Sequence, residues 1–173
     1  MEYQKKLLFR NVGSPSYLKP FPSLWQMAIG CVLKAKQAKD PANNTQDIGS
    51  VEFALTRDSL VRYAGASGDF NPIHYREDFA KAVGLDGVLA HGMLTMGVAV
   101  QIAIDWIGDP GRIIDYGVRF TKPVFVDARE GAVLTVSGKI GEIDTENSKV
   151  RLDITAVAAD LAVLGKAQAW VRI

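Results

Sequence analysis

Residues Gly92–Ile107 read GMLTMGVAVQIAIDWI, and the run ends on Gly108-Asp109-Pro110-Gly111. It is apolar on nearly every helical face, which predicts a helix buried all round rather than one laid on a surface. Its longest apolar stretch, Gly92–Ile104, is interrupted by Gln101 and followed by Asp105. A bilayer span needs roughly 20 residues, so the stretch is too short to cross a membrane.

Four strand-like runs follow this helix: Ile113–Val126, Ala132–Ile143, Lys149–Ala158 and Val163–Ile173. In the third, Val150, Leu152, Ile154 and Ala156 alternate with Arg151, Asp153 and Thr155. Such period-2 runs, joined by short polar turns, predict an antiparallel meander. One apolar helix and one polar-backed sheet bury each other only if the sheet wraps the helix, an α+β architecture. Upstream, the pattern predicts a strand over Val51–Leu55, a helix over about Ser59–Ala64 capped by Thr56 or Asp58, and a polar turn over Gly65–His74. A short helix over Arg76–Val83 ends at Gly84.

The chain has 173 residues, 48% apolar and 23% charged, with a formal net charge of +1. This is an ordinary globular composition, with no overall charge that calls for nucleic acid or an anionic membrane as partner. Residues 1–47 hold seven Lys/Arg against three acids, a net of +4, which leaves −3 for the rest. They read as a basic N-terminal extension or linker, with an extended Pro-containing run over Ser14–Ser23, a helix over Leu24–Lys39 and a loop over Asp40–Ser50. Residues 48–173 read as the folded domain. The single cysteine, Cys31, excludes an internal disulfide framework and fits a reducing compartment. With no convincing targeting segment, a cytoplasmic location is expected.

The candidate chemistry lies in Ser67-Gly68-Asp69-Phe70-Asn71-Pro72-Ile73-His74. Asp69 and His74 are separated by a turn that Gly68 and Pro72 constrain, so both side chains can converge on one point. A carboxylate and an imidazole meeting at one water supply the base and the acid that hydration of an unsaturated thioester requires. Asn71 is placed to hold either side chain. The same residues would equally serve a turn that only satisfies its own backbone.

The second feature is Leu89-Ala90-His91-Gly92-Met93, at the start of the apolar helix. A helix N-terminus presents unpaired N–H groups and partial positive charge, and Gly92 lets a ligand come close. Its N–H is a candidate donor to a thioester carbonyl as enolate-like charge develops, with His91 beside it as a further substrate-binding candidate. Equally, Gly92 can merely begin the helix and His91 can cap or pack. No zinc spacing, phosphate loop or dinucleotide fingerprint is present, so neither a metal nor a cofactor is expected. Arg112, Arg119, Lys122 and Arg129 are candidates to meet a phosphopantetheine or an acidic carrier, or form a solvated strand face.

The run Tyr63–His74, followed after a short helix by Ala90-His91-Gly92-Met93-Leu94, resembles the MaoC-like (hydratase 2) family of hot-dog proteins. More narrowly, Trp106–Gly111 and Tyr116–Thr121 resemble the catalytic B subunits of (3R)-hydroxyacyl-ACP dehydratases. The resemblance covers about residues 48–173. It implies a hot-dog fold, a catalytic Asp69/His74 dyad and the Gly92 N–H as oxyanion donor. It also implies a substrate carried on CoA or acyl carrier protein, and a homodimer or a heterodimer with a related hot-dog subunit. Where (R)-specific enoyl-CoA hydratases of the family place a helix serine, this chain has Val100. That departure touches a supporting hydrogen bond and leaves the dyad intact. The reaction expected is reversible hydration of a trans-2-enoyl thioester to the (3R)-3-hydroxyacyl thioester. The alternatives are a hot-dog thioesterase, or a non-catalytic subunit that binds acyl chains.

Overall fold

Six strands form one antiparallel sheet in the computed structural model, which describes residues 46–173. They are β1 (Asp47–Leu55), β2 (Ile113–Phe120), β3 (Ala132–Asp144), β4 (Lys149–Ala158), the short β5 (Leu161–Ala162) and β6 (Leu164–Arg172). Their spatial order is β1-β3-β4-β6-β2, with β5 paired to β4. The Ser14–Ser23 run, the expected helix over Leu24–Lys39 and Cys31 lie outside the described residues.

The alternation seen in the sequence sets which face is buried. Leu134, Val136 and Ile140 of β3, Val150, Leu152, Ile154 and Ala156 of β4, and Ala167, Ala169 and Val171 of β6 all point into the core. Each large aliphatic side chain so buried contributes about 1.5–3 kcal/mol. They meet the helical layer, α3 (Gly92–Ala99) and α4 (Gln101–Ile107). The α4 helix packs on β1, β3 and β6, and α3 on β4. At Gly138 of β3 the packing is close: a Cβ there would lie 2.8 Å from the Ile48 side chain of the neighbouring β1 and 3.6 Å from Ile102 of α4. The result is the expected α+β hot-dog arrangement, with a sheet curled around a helix.

Three of the larger features differ from the sequence reading. The runs do not form a simple meander in chain order. Only β3, β4 and β6 do, while β2 lies at the far edge and pairs with β6, Tyr116 opposite Ala169 and Phe120 opposite Leu164. Alternation specifies which face a strand buries but not which neighbour it takes. The expected strand Ile113–Val126 also stops at Phe120, ahead of Pro123, which has no N–H for a ladder. Beyond it, Val124–Val126 pairs with the chain just before α3. The Ala90 N–H donates to the Val124 carbonyl (2.8 Å) and the Val126 N–H to the Val88 carbonyl (2.9 Å).

The third difference is the helix itself. It divides at Val100, where the Ala103 N–H bonds the Val100 carbonyl three residues back at 2.9 Å. It is not buried all round, because Met93, Gly97 and Asp105 are exposed and the sheet of one chain covers only one side. Among the described residues, no helix is long and apolar enough to cross a membrane.

Elements upstream position the site. Helix α1 (Arg57–Ser67) is longer than expected; a reciprocal Thr56/Ser59 capping box starts it. Gly68, with φ +76°, ends it in the left-handed conformation glycine tolerates, and turns the chain into Asp69. Helix α2 spans Glu77–Ala82, shorter than the expected Arg76–Val83. The loop expected through Ser50 is already strand from Asp47, where β1 begins.

Candidate active site

Asp69 sits in a tight loop whose backbone bonds set its carboxylate. Its Oδ1 accepts the Asn71 N–H (3.2 Å), and Asn71 Oδ1 in turn accepts the Ile73 N–H (3.3 Å), capping a 3₁₀ turn over Pro72–His74. Asn71 thus orients Asp69 through its main chain and uses its side chain for the turn. The second carboxylate oxygen, Oδ2, lies 3.9 Å from His74 Nε2.

His74 is 7% exposed and held by Leu89. Its Nδ1 lies 2.8 Å from the Leu89 carbonyl, which can only accept, so Nδ1 carries a proton and, in the neutral ring, Nε2 presents a lone pair towards Asp69. The Leu89 N–H donates to the Ile73 carbonyl (3.3 Å), so one residue pins the turn twice. Leu89 is fixed by the Val88–Ala90 pairing with Val124–Val126. The gap of 3.9 Å between Oδ2 and Nε2 is too long for a direct hydrogen bond. A water about 2.8 Å from each would subtend roughly a right angle and could donate a hydrogen to each.

His91 is 1% exposed. Its Nε2 lies 3.1 Å from the Asp69 carbonyl, and its ring stacks on His74 with centroids 3.8 Å apart and planes 23° apart. Both partners are protein groups. Asp69, His74 and His91 offer ligand atoms within 4.8 Å of one another. Stacked imidazoles, however, project their lone pairs in nearly parallel planes, so the two rings cannot meet one ion at zinc–nitrogen distances of about 2.0–2.1 Å unless one turns. The arrangement suits acid–base work.

Gly92 is the first residue of α3, and its N–H donates to no acceptor among the described residues. It lines a cavity of about 280 Å³ together with Leu89, Ala90, Thr95, Phe120 and Lys122. Asp69 and His74 are not part of that lining, so the cavity lies beside the dyad rather than enclosing it. A Cβ on Gly92 would lie 3.2 Å from the Phe120 ring, a close approach that only glycine makes freely. Val100, at the junction of α3 and α4, brings no polar group.

Two contributors had no signal in the sequence: the Leu89 carbonyl, which any residue would supply, and the Phe120 ring over Gly92. Arg112 pairs loosely with Asp109 (3.8 Å), and of the cationic candidates Lys122 lines the cavity.

A family model described as "MaoC like domain" matches residues 41–158. The chain belongs to the MaoC-like family. The MaoC-like chain is 30% identical to the (R)-specific enoyl-CoA hydratase of Rhodospirillum rubrum over 94 residues, 54% of this chain and 65% of that one. It is also 30% identical to the 3-hydroxybutyryl-CoA dehydratase of Methylorubrum extorquens over 111 residues, 64% of this chain and 68% of the relative. A solved MaoC-like dehydratase superimposes with a TM-score of 0.72 at 41% identity, covering 74% of this chain and 39% of that structure. The chain therefore spans under two thirds of the Rhodospirillum relative and well under half of the solved protein. These relatives support a hydro-lyase activity for the MaoC-like fold.

Proposed function

We propose that the chain catalyses reversible hydration of a trans-2-enoyl thioester to the (3R)-3-hydroxyacyl thioester, carried on CoA or acyl carrier protein. The observation that carries this reading is the lone pair of His74 Nε2 facing Asp69 Oδ2 across a one-water gap. In hydration, His74 Nε2 takes a proton from that water as its oxygen bonds the β-carbon, and protonated Asp69 Oδ2 gives a proton to the α-carbon. An imidazolium and a carboxylate remain. The proton returns from His74 to Asp69 through the next water, so the cycle balances without an oxidant or reductant. In dehydration the same charged pair works in reverse: the carboxylate takes the α-proton and the imidazolium protonates the departing hydroxyl. The two roles can be exchanged between the partners, so they belong to the dyad rather than being fixed labels. The free Gly92 N–H meets the thioester oxygen while enolate-like charge builds on it. The names of the relatives support both the thioester substrate and the R configuration.

Incubation with crotonyl and longer enoyl thioesters tests this, with the conjugated enoyl absorbance followed over time. The band is expected to fall without release of free thiol. Thiol appearing in step with the loss of substrate would instead mark a thioesterase, and no change by either measure would leave only an acyl-binding subunit.

The working form we propose is a homodimer, or a heterodimer with a related hot-dog subunit. As the outermost strand, β2 leaves one row of backbone groups without a ladder, and it exposes Ile114 (44%) and Phe120 (50%). Unpaired edges of this kind recruit a second chain. Two identical copies would meet about a two-fold axis. Sedimentation at micromolar concentration is expected to show a dimer, and a stable, active monomer would overturn the assignment.

A further inference from the structure

His91 is a histidine that the dyad mechanism does not use, and it sits where the two halves of the site meet. Three partners surround its ring. His74 stacks on it, Tyr63 of α1 lies tilted at 4.9 Å and 59°, and the Asp69 carbonyl lies 3.1 Å from Nε2. That carbonyl can only accept, so Nε2 carries the proton. The other nitrogen, Nδ1, is buried without a hydrogen-bond partner. The backbone of His91 directly precedes Gly92, and its carbonyl accepts the Thr95 N–H (3.1 Å) and the Thr95 hydroxyl (3.3 Å) in the first turn of α3.

We propose that His91 is a positioning residue whose Nε2–H hydrogen bond to the Asp69 carbonyl locks the dyad loop to the start of α3, while its ring face fixes the plane of His74. The inference rests on the hydration reading, since it concerns how the acid–base pair and the Gly92 N–H are held in register. One side chain spans the interval that the thioester must bridge. A shift of about 1 Å between reacting groups is enough to cost about 10²-fold in rate. A neutral ring is what this place permits. Burial lowers the pKa of His91 from its ordinary value, the hydrogen bond to the Asp69 carbonyl opposes it by less, and the neighbouring His74 adds a still smaller lowering. The orphaned Nδ1 shows that packing alone does not explain a histidine here, because an apolar ring would fill the space without a buried unpaired acceptor.

The chain contains two histidines, which makes a direct test simple. In the ¹⁵N-labelled protein at neutral pH, His91 is expected in the Nε2–H tautomer, opposite to the Nδ1–H tautomer of His74. A His91 carrying its proton on Nδ1 would overturn the proposal whatever the activity. Two variants supply the kinetic arm. His91→Leu fills the space without a donor and is expected to lower kcat by about 10²-fold, with KM within about threefold of the parent. His91→Gln retains an N–H donor and is expected to lose only about 10-fold. Equal losses in the two variants, or a change confined to KM, would show that the hydrogen bond does not set the register. If the parent protein hydrates no enoyl thioester, the functional reading fails by itself, and the tautomer measurement still decides the role of His91.

Discussion

Replacing Asp69 with Asn is expected to lower hydration turnover by about 10²–10⁴-fold, and His74→Ala by a similar factor, the range for a positioned acid or base. The Asp69→Asn change is a clean one. The new side chain still offers Oδ1 to the Asn71 N–H, so the turn stays capped while the group that gives and takes a proton is gone. His74→Ala removes Nε2 and also leaves the Leu89 carbonyl without its imidazole partner, but the Leu89 N–H keeps its bond to Ile73. Each variant should therefore fold. Because the two groups serve one concerted step as base and acid, their losses should not multiply. The double variant is expected to be little slower than the worse single one. Near-parental turnover in either single variant, measured by the enoyl absorbance, would remove the dyad from the mechanism.

Gly92→Pro is expected to lower turnover by about 10²–10³-fold, the loss associated with one missing oxyanion donor. The structure makes this substitution informative because proline suits the position otherwise. Gly92 opens α3, where a missing N–H costs no helical bond. The residue before it, His91, already has φ −59° and ψ 132°, the extended backbone that a following proline requires. The added ring atoms meet Phe120, a half-exposed side chain with room to swing away. Gly92→Ala separates the two effects: it keeps the N–H and adds only the Cβ that would stand 3.2 Å from Phe120. The alanine variant should lose much less than the proline variant. Equal losses in the two would assign the effect to crowding, and the N–H would then have no catalytic part.

The sequence discloses the parts of this fold that depend on local chemistry. Strand β4 falls on Lys149–Ala158 as the alternation predicts, because one face of it is wholly buried. Thr56, one of the two cap candidates, does start α1, whereas the helix runs past the expected Ala64 to Ser67 before the left-handed Gly68 ends it. Relations between distant elements are not legible in this way. The run Ile113–Phe120 reads as a strand, and its place at the sheet edge beside β6 follows only from the course of the folded chain. Apolarity around α3 likewise hides which side the sheet leaves open, so the exposure of Met93 was not predictable from composition.

The site shows the same division. Asp69, His74 and Gly92 carry side-chain or backbone chemistry distinctive enough to single out. The group that sets the His74 tautomer is a main-chain carbonyl, identical in every residue, and its importance comes from where Val124–Val126 places Leu89. His91 stood out as a neighbour of Gly92 with an open choice between capping, packing and binding. Its contact with the Asp69 carbonyl, 22 positions earlier in the chain, exists only once the chain is folded.

The order of the strands also bears on when the residues of the candidate site can come together. The β3–β4 hairpin closes over a few residues, with Ile143 opposite Val150, whereas β1 must bring Phe53 to Leu134 and β2 must bring Phe120 to Leu164. Contacts between residues far apart in sequence carry the larger loop-closure entropy and set the pace of folding. Asp69, His74, His91 and Gly92 all lie on the segment between β1 and β2, tethered at both ends to these long-range pairings. A chain that had paired only β3, β4 and β6 would have much of its sheet and none of the Asp69–His74–Gly92 arrangement.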